Sequence, residues 1–183
     1  MLSREDILSN LQRLGELLKE QGLTGEIMLT GGAAMCLVHS ARDMTKDVDA
    51  LYEPKTEINR LAAQVAREQD LPYGWLNDGV KGFVTKGAPA EDFMAFDGLK
   101  ITTVSSEYLL AMKLMSARFG EKDYEDIRFL LDKLQIADMG EAAELLTAFY
   151  PVERILPKTR YVLEEYFADL DEQAFTQGPT FSM

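Results

Sequence analysis

The chain predicts an α+β protein: a small mixed sheet with flanking helices, followed by an all-helical C-terminal half. Three observations carry this reading. Apolar residues recur at spacings of three and four over residues 3–21, 56–69 and again from 108 onward, which is helical periodicity. Two short apolar runs, at 27–29 and 48–52, flank a diglycine, and Asp97-Gly98 joins two further apolar runs as a hairpin turn. After Val104 only helical patterns follow, so strands and helices do not alternate as they would in a regular α/β sheet.

At 183 residues the chain is long enough to bury a sizeable core, and 46% hydrophobic with 27% charged is ordinary for a globular protein. We divide it into a core over 1–104, a helical part over 105–170 and an irregular tail over 171–183. No apolar run reaches the ~18–20 residues of a membrane span, and the charged N-terminus has no secretory pattern. With a single cysteine, Cys36, no internal disulfide forms, and a reducing cytoplasm is the expected compartment. Nineteen Lys and Arg face 31 acids, a net charge of −12 without a basic cluster. Extended nucleic-acid binding is disfavoured. A nucleotide that arrives with Mg²⁺ is not, because the metal supplies positive charge.

In order, residues 3–21 form an amphipathic helix with Ile7, Leu11, Leu14 and Leu18 on one face. Ser3 with Asp6 makes an acidic variant of the capping box, and Gly22 is the stop. A strand at 26–29 runs into Gly31-Gly32, a short helix follows at 33–39, and a second strand covers 47–52. Pro54 closes that strand ahead of a helix at 56–69. Residues 71–84 read as irregular and hold the only tryptophan, Trp75. Strands at 93–96 and 99–104 form the hairpin. Ser105 caps a helix over 108–119 that is apolar almost all round and belongs in the interior. Gly120 ends it, and helices at 123–135, 141–150 and 158–170 complete the chain.

Four features could carry chemistry. Gly31-Gly32 after a strand lets backbone amides approach a phosphate, although a diglycine is as readily a plain turn. Asp47 and Asp49, two apart in a strand, lie on one face about 6–7 Å apart at Cα. Such a pair repels itself unless a cation answers it. Mg²⁺ takes one or two carboxylates plus substrate phosphates, which suits the pair; the plainer account is a solvated edge with Val48 and Ala50 turned inward. Lys113 sits in the apolar helix, so its ammonium either snorkels to solvent or meets an anion, Asp49 or a triphosphate. Asp123 and Asp126 share a helix face, as acids of a helix N-terminus or as a partner of Lys113 or a base.

Gly31-Gly32, fourteen residues, then Asp47-Val48-Asp49 preceded by Thr45-Lys46 resembles the signature of the nucleotidyltransferase superfamily, the polymerase-beta-like fold. Downstream, residues 105–114 followed by 122–127 are similar to the later motifs of AbiE-type toxin nucleotidyltransferases and closer still to bacterial nucleotidyltransferase-like proteins. The resemblance spans roughly residues 25 to 135. It implies transfer of a nucleoside monophosphate from an NTP to a hydroxyl on RNA or protein. Asp47 and Asp49 would hold one or two Mg²⁺ ions, Gly31, Gly32 and Lys46 would lie at the nucleotide, Lys113 would contact phosphate, and Asp123 or Asp126 would complete the catalytic set. The alternative is a catalytically degenerate nucleotide-binding or protein-partner module, with an antitoxin-like partner or a second copy of the chain as occupant.

The chain departs from the superfamily pattern in two places. Gly32 stands where a serine is usual. A third carboxylate on a neighbouring strand is not assured: Asp92 precedes the hairpin strand and Asp97 lies in its turn. His39 reads as a cap or surface residue, Cys36 as a small core residue, and Trp75 as folded onto the core.

Overall fold

A computed structural model describes residues 1–85, 87–116 and 121–176 of the chain, with side chains described except at 121, 122 and 169–176. The chain divides into two compact units, Met1–Leu109 and Leu110–Met183. The α+β class holds, with seven helices and two sheets among the described residues.

The first unit opens with β1 (Leu2–Ser3) and α1 (Arg4–Glu20). The capping box forms: the Ser3 hydroxyl accepts from the Asp6 amide at 3.1 Å while the Asp6 carboxylate accepts from the Ser3 amide at 2.8 Å. A five-stranded sheet follows, built from β2 (Gly25–Leu29), β4 (Val48–Glu53), β5 (Leu76–Asn77), β6 (Ala90–Phe96) and β7 (Leu99–Val104). Its order is β5-β4-β2-β7-β6; β4 and β7 flank β2 antiparallel and parallel respectively, so the sheet is mixed. The small β3 (Met44–Thr45) leaves this sheet and pairs with β1. Two helices complete the unit, α2 (Gly31–Leu37) directly after β2 and α3 (Lys55–Glu68) after β4.

One face of the sheet is dry. Val48, Ala50 and Tyr52 of β4, Ile27 and Leu29 of β2, and Leu99 and Ile101 of β7 are buried in one cluster with Leu11 and Leu14 of α1 and Ile58 and Leu61 of α3. The alternate residues of β4, Asp49, Leu51 and Glu53, point to the other face, as strand periodicity requires.

Several elements of the first unit differ from the sequence reading, among them α2, expected at 33–39 and found at Gly31–Leu37. Strand β4 begins at Val48, one residue after Asp47, because the Val48 amide is the first to join the sheet, donating to the Trp75 carbonyl at 2.6 Å. Residues 46 and 47 bend between the two sheets. The stretch 71–84 contains β5, which at two residues is too short to leave a period. Strand β6 starts at Ala90 and carries a register shift between Asp92 and Met94, so its Glu91 and Asp92 lack the strand-forming side chains that would have marked it.

The second unit holds most of α4 (Ser106–Ser116), then α5 (Glu121–Leu134), α6 (Met139–Phe149) and α7 (Pro157–Thr176). Leu110, Ala111 and Leu114 of α4 are fully buried, which fits a helix apolar all round. The expected end of that helix, at Phe119 and Gly120, lies outside the described residues. Asp138 caps α6, accepting from the amides of Gly140 and Glu141 at 2.7 and 3.0 Å. Helix α7 extends to Thr176, past the tail boundary expected at Asp171, since no Gly or Pro interrupts residues 171–176. Residues 177–183 lie outside the described residues. Among the described residues no helix is long and apolar enough to cross a membrane.

Candidate functional site

The diglycine and the second aspartate meet at the end of β2. Thr30 precedes α2, and both its amide and its hydroxyl donate to the Asp49 carbonyl, each at 3.0 Å. This double tie fixes the start of α2 against β4. Gly31 then turns into the left-handed region, φ +53°, where a side chain is disfavoured. A Cβ there would lie 2.8 Å from Asp49 Oδ2, so the Asp49 carboxylate rests directly on the bare Cα of Gly31. At Gly32 a Cβ would run into the hydroxyl of Thr45. Each glycine is therefore required by a polar group placed against it.

Asp49 and Asp47 are both half-buried, and Lys46 is exposed. Asp47 belongs to the bend that precedes β4, so the two acids are not successive same-face residues of one strand. The strand neighbours of Asp49 are informative. On the β5 side its register partner is Asn77. On the other side the register of β2 brings Thr30 opposite. The position beside Asp49 on β5 is thus an amide, and its Oδ1 already accepts from the Gly79 amide at 2.9 Å.

Neither sequence candidate for a third carboxylate lies free for a metal. Asp92 on β6 is exposed and paired with Lys100 at 2.8 Å. Asp97 in the hairpin turn is paired with Lys19 at 2.7 Å, and that contact holds its carboxyl below the usual range. Among the described residues, no group of three or more His, Cys, Asp or Glu side chains could hold a metal ion. The described side chains therefore form no all-protein metal cage. Mg²⁺ that arrives bound to phosphates fits better, since it needs only one or two carboxylates and retains other oxygen ligands. Asp49, with Asp47 nearby in sequence, supplies that donor type.

The later candidates belong to the second unit. Lys113 of α4 is 8% exposed and its ammonium is ion-paired with Asp126 of α5, itself 3% exposed. Asp123, one turn earlier on α5, stands 3.9 Å from the same nitrogen. Of the alternatives open for Lys113, snorkelling is therefore not what occurs, and the anion it meets is a carboxylate of its own unit. Thr159 of α7 donates to the Leu114 carbonyl at 3.0 Å, one residue beyond Lys113, and holds this stretch of α4 from another side.

Three residues set aside on sequence grounds also have defined places. Trp75 is buried, as expected, with its indole N–H donating to the Ala62 carbonyl at 3.0 Å. Cys36 is buried and burial pushes its thiol up, with Arg4 and Arg42 acting in the opposite sense. His39 lies beyond the end of α2 and is half-buried. Sequence reasoning missed Thr30, Asn77 and the place of Thr45 against Gly32. A threonine before a diglycine was a usable signal for the first, whereas the other two depend on strand register, which no local pattern displays.

No protein-family model, curated protein or solved structure matches the chain.

Proposed function

We propose that the chain is a nucleotidyltransferase that moves a nucleoside monophosphate from an NTP to a hydroxyl acceptor on RNA or protein. One observation carries the reading: the Asp49 carboxylate lies on the bare Cα of Gly31, so an acidic metal donor and a side-chain-free turn share one spot. Asp49 and Asp47 would hold Mg²⁺, and the backbone at Gly31 and Gly32 offers close approach to the triphosphate. When bound, the ion offsets phosphate charge and polarises the phosphorus under attack. Thr30 has a positioning role, since its two bonds to the Asp49 carbonyl hold the strand that bears the carboxylate. Lys113 is committed to Asp126, so a phosphate role for it requires its ammonium to divide its donors between that carboxylate and the phosphate.

A second reading is nucleotide binding without transfer, and Asn77 favours it. The position beside Asp49 on β5 carries an amide where a carboxylate would complete a metal set. A single weakly held Mg²⁺ then suffices to bind a nucleotide but not to drive two-metal transfer.

One experiment separates these readings. Each α-labelled NTP is incubated with the protein, Mg²⁺ and total cell RNA or lysate, and Mg-NTP binding is measured in parallel by calorimetry. Transfer abolished by Asp49→Asn supports the transferase, and binding without transfer supports the second reading. If no Mg-NTP binds and Asp47→Asn and Asp49→Asn change nothing, both readings fail.

A further inference from the structure

A second feature of the first unit lies at the β5 edge of the sheet. A pocket of about 170 Å³ opens there between β4, β5 and α3, lined by Tyr52, Asn59, Tyr73, Trp75, Asp78 and Asn77, the register partner of Asp49, among others. Tyr52 belongs to the dry face of β4, with Val48 and Ala50, and Asp49 to the other.

The pocket is built from groups fixed before any ligand arrives. Trp75 lines it, held by its bond to the Ala62 carbonyl at 3.0 Å. The Tyr52 hydroxyl donates to Asn59 Oδ1 at 2.7 Å, which leaves the Asn59 NH₂ as the donor this amide presents. The Asp78 carboxylate is an acceptor, kept ionised by Lys55, with Lys81 at 3.6 Å. At the rim stands Tyr73, 91% exposed, an aromatic ring with its surface in water.

Size and chemistry restrict the occupant. The volume is below the ~300–1,000 Å³ of drug-sized ligand pockets, so it admits one ring system and not a whole nucleotide. An aromatic shelf favours a planar π-face. An amide donor and a carboxylate acceptor together favour a ring whose edge carries both acceptors and donors. Hydrocarbon rings lack that edge; nucleobases have it.

We propose that this edge pocket binds a single nucleobase, stacked on Tyr73 and read at its edge by Asn59 and Asp78. The site stands apart from the metal–nucleotide reading, because it needs neither Asp47 nor Asp49. The base reaches it either on a free nucleoside or on the unpaired end of a strand. In the second case the pocket would position an acceptor.

Trp75 is the only tryptophan and forms a wall of the pocket, so its fluorescence reports occupancy directly. The full chain is titrated in EDTA with adenosine, guanosine, cytidine and uridine, and with short single-stranded oligonucleotides. Saturable change with at least one nucleoside or oligonucleotide is expected. Tyr73→Ala, which removes an exposed side chain and leaves the fold intact, should raise the Kd roughly tenfold, the scale of one lost base stack. Tighter binding of oligonucleotides than of nucleosides identifies a strand as the source, and equal binding identifies the free nucleoside. No response to any of these ligands, a response unchanged by Tyr73→Ala, or one that appears only with Mg²⁺ overturns the proposal. Asp49→Asn should leave this titration unchanged, so its failure and that of the metal–nucleotide reading are told apart.

Discussion

The hydroxyl of Thr45 occupies the space that a Cβ on Gly32 would need. Thr45 is buried on β3, which pairs with β1, and its Cβ also lies only 3.3 Å from that position, so rotating the hydroxyl away would not clear it fully. A serine at position 32 is therefore opposed by a side chain from another element. Gly32→Ser should lower stability by about 1–3 kcal/mol, the usual cost of overpacking. Thr45→Ala should recover part of that loss in the double variant. Urea midpoints of the two single variants and the double variant give the coupling, and simple additivity would contradict the contact.

The Lys113–Asp126 pair makes a second prediction, one that separates fold from chemistry. Both side chains are buried, so removing one partner takes away the nearest countercharge of the other, although Asp123 stays 3.9 Å from the Lys113 ammonium. Lys113→Met or Asp126→Leu alone should cost roughly 3–5 kcal/mol. The double variant Lys113→Met/Asp126→Leu should lie close to the parent in stability. If that double variant folds well yet loses nucleotide binding, the pair has a role beyond packing.

Asn77 permits a gain-of-function test. Asn77→Asp places a second carboxylate beside Asp49 on the neighbouring strand. Like charges directly across a sheet destabilise by a fraction of a kcal/mol up to about 1 kcal/mol, so without metal the variant should melt earlier. Added Mg²⁺ should reverse the loss and raise the melting temperature above that of the parent at equal metal concentration. Differential scanning calorimetry with and without Mg²⁺ reads both effects. A melting temperature indifferent to Mg²⁺ would show that Asp49 does not face a metal-accessible space.

The pH profile has a predictable shape at both ends. Burial, with Asp78 and Tyr73 adding to it, pushes the Tyr52 phenol up to about 12. In the unfolded chain this group ionises near ~10, so between about 10 and 12 the unfolded state has lost a proton that the folded state retains. Tyr52 therefore contributes stability that is full below pH ~10 and lost as pH rises through 12. Tyr52→Phe should flatten that alkaline slope, at the cost of the hydrogen bond to Asn59.

At the acid end the signs reverse. The Asp78 carboxyl is lowered by the Lys55 ammonium, that of Glu68 by the Arg13 guanidinium, and that of Asp6 by the Ser3 amide and hydroxyl. Each contributes stability above the ordinary carboxylate range near ~4 that disappears as pH falls through its lower folded value. Chemical denaturation as a function of pH should show the loss beginning below about pH 4. Asp6→Asn, which removes the carboxylate half of the capping box, should weaken it.

Much of the fold was legible locally. Ile7, Leu11, Leu14 and Leu18 announce α1 because a helix repeats every 3.6 residues, and Ser3 with Asp6 marks where it begins. Asp97-Gly98 announces the β6–β7 hairpin because few residues accept the turn it requires. The two-residue strands β1, β3 and β5 escaped notice, since two residues cannot display a period and their pairing partners are distant in sequence.

For the candidate site, the sequence by itself determined the parts: a diglycine after a strand, an acidic pair, and a lysine in an apolar helix with acids one helix later. Composition and spacing fix these because they are properties of neighbouring residues. Tertiary structure alone decided their relations. It set Asp49 on Gly31 and Thr45 against Gly32, brought the amide of Asn77 opposite Asp49, and gave Lys113 to Asp126. Strand order and register settle such relations through the burial of one face of a sheet, and that free energy is summed over residues from the whole unit.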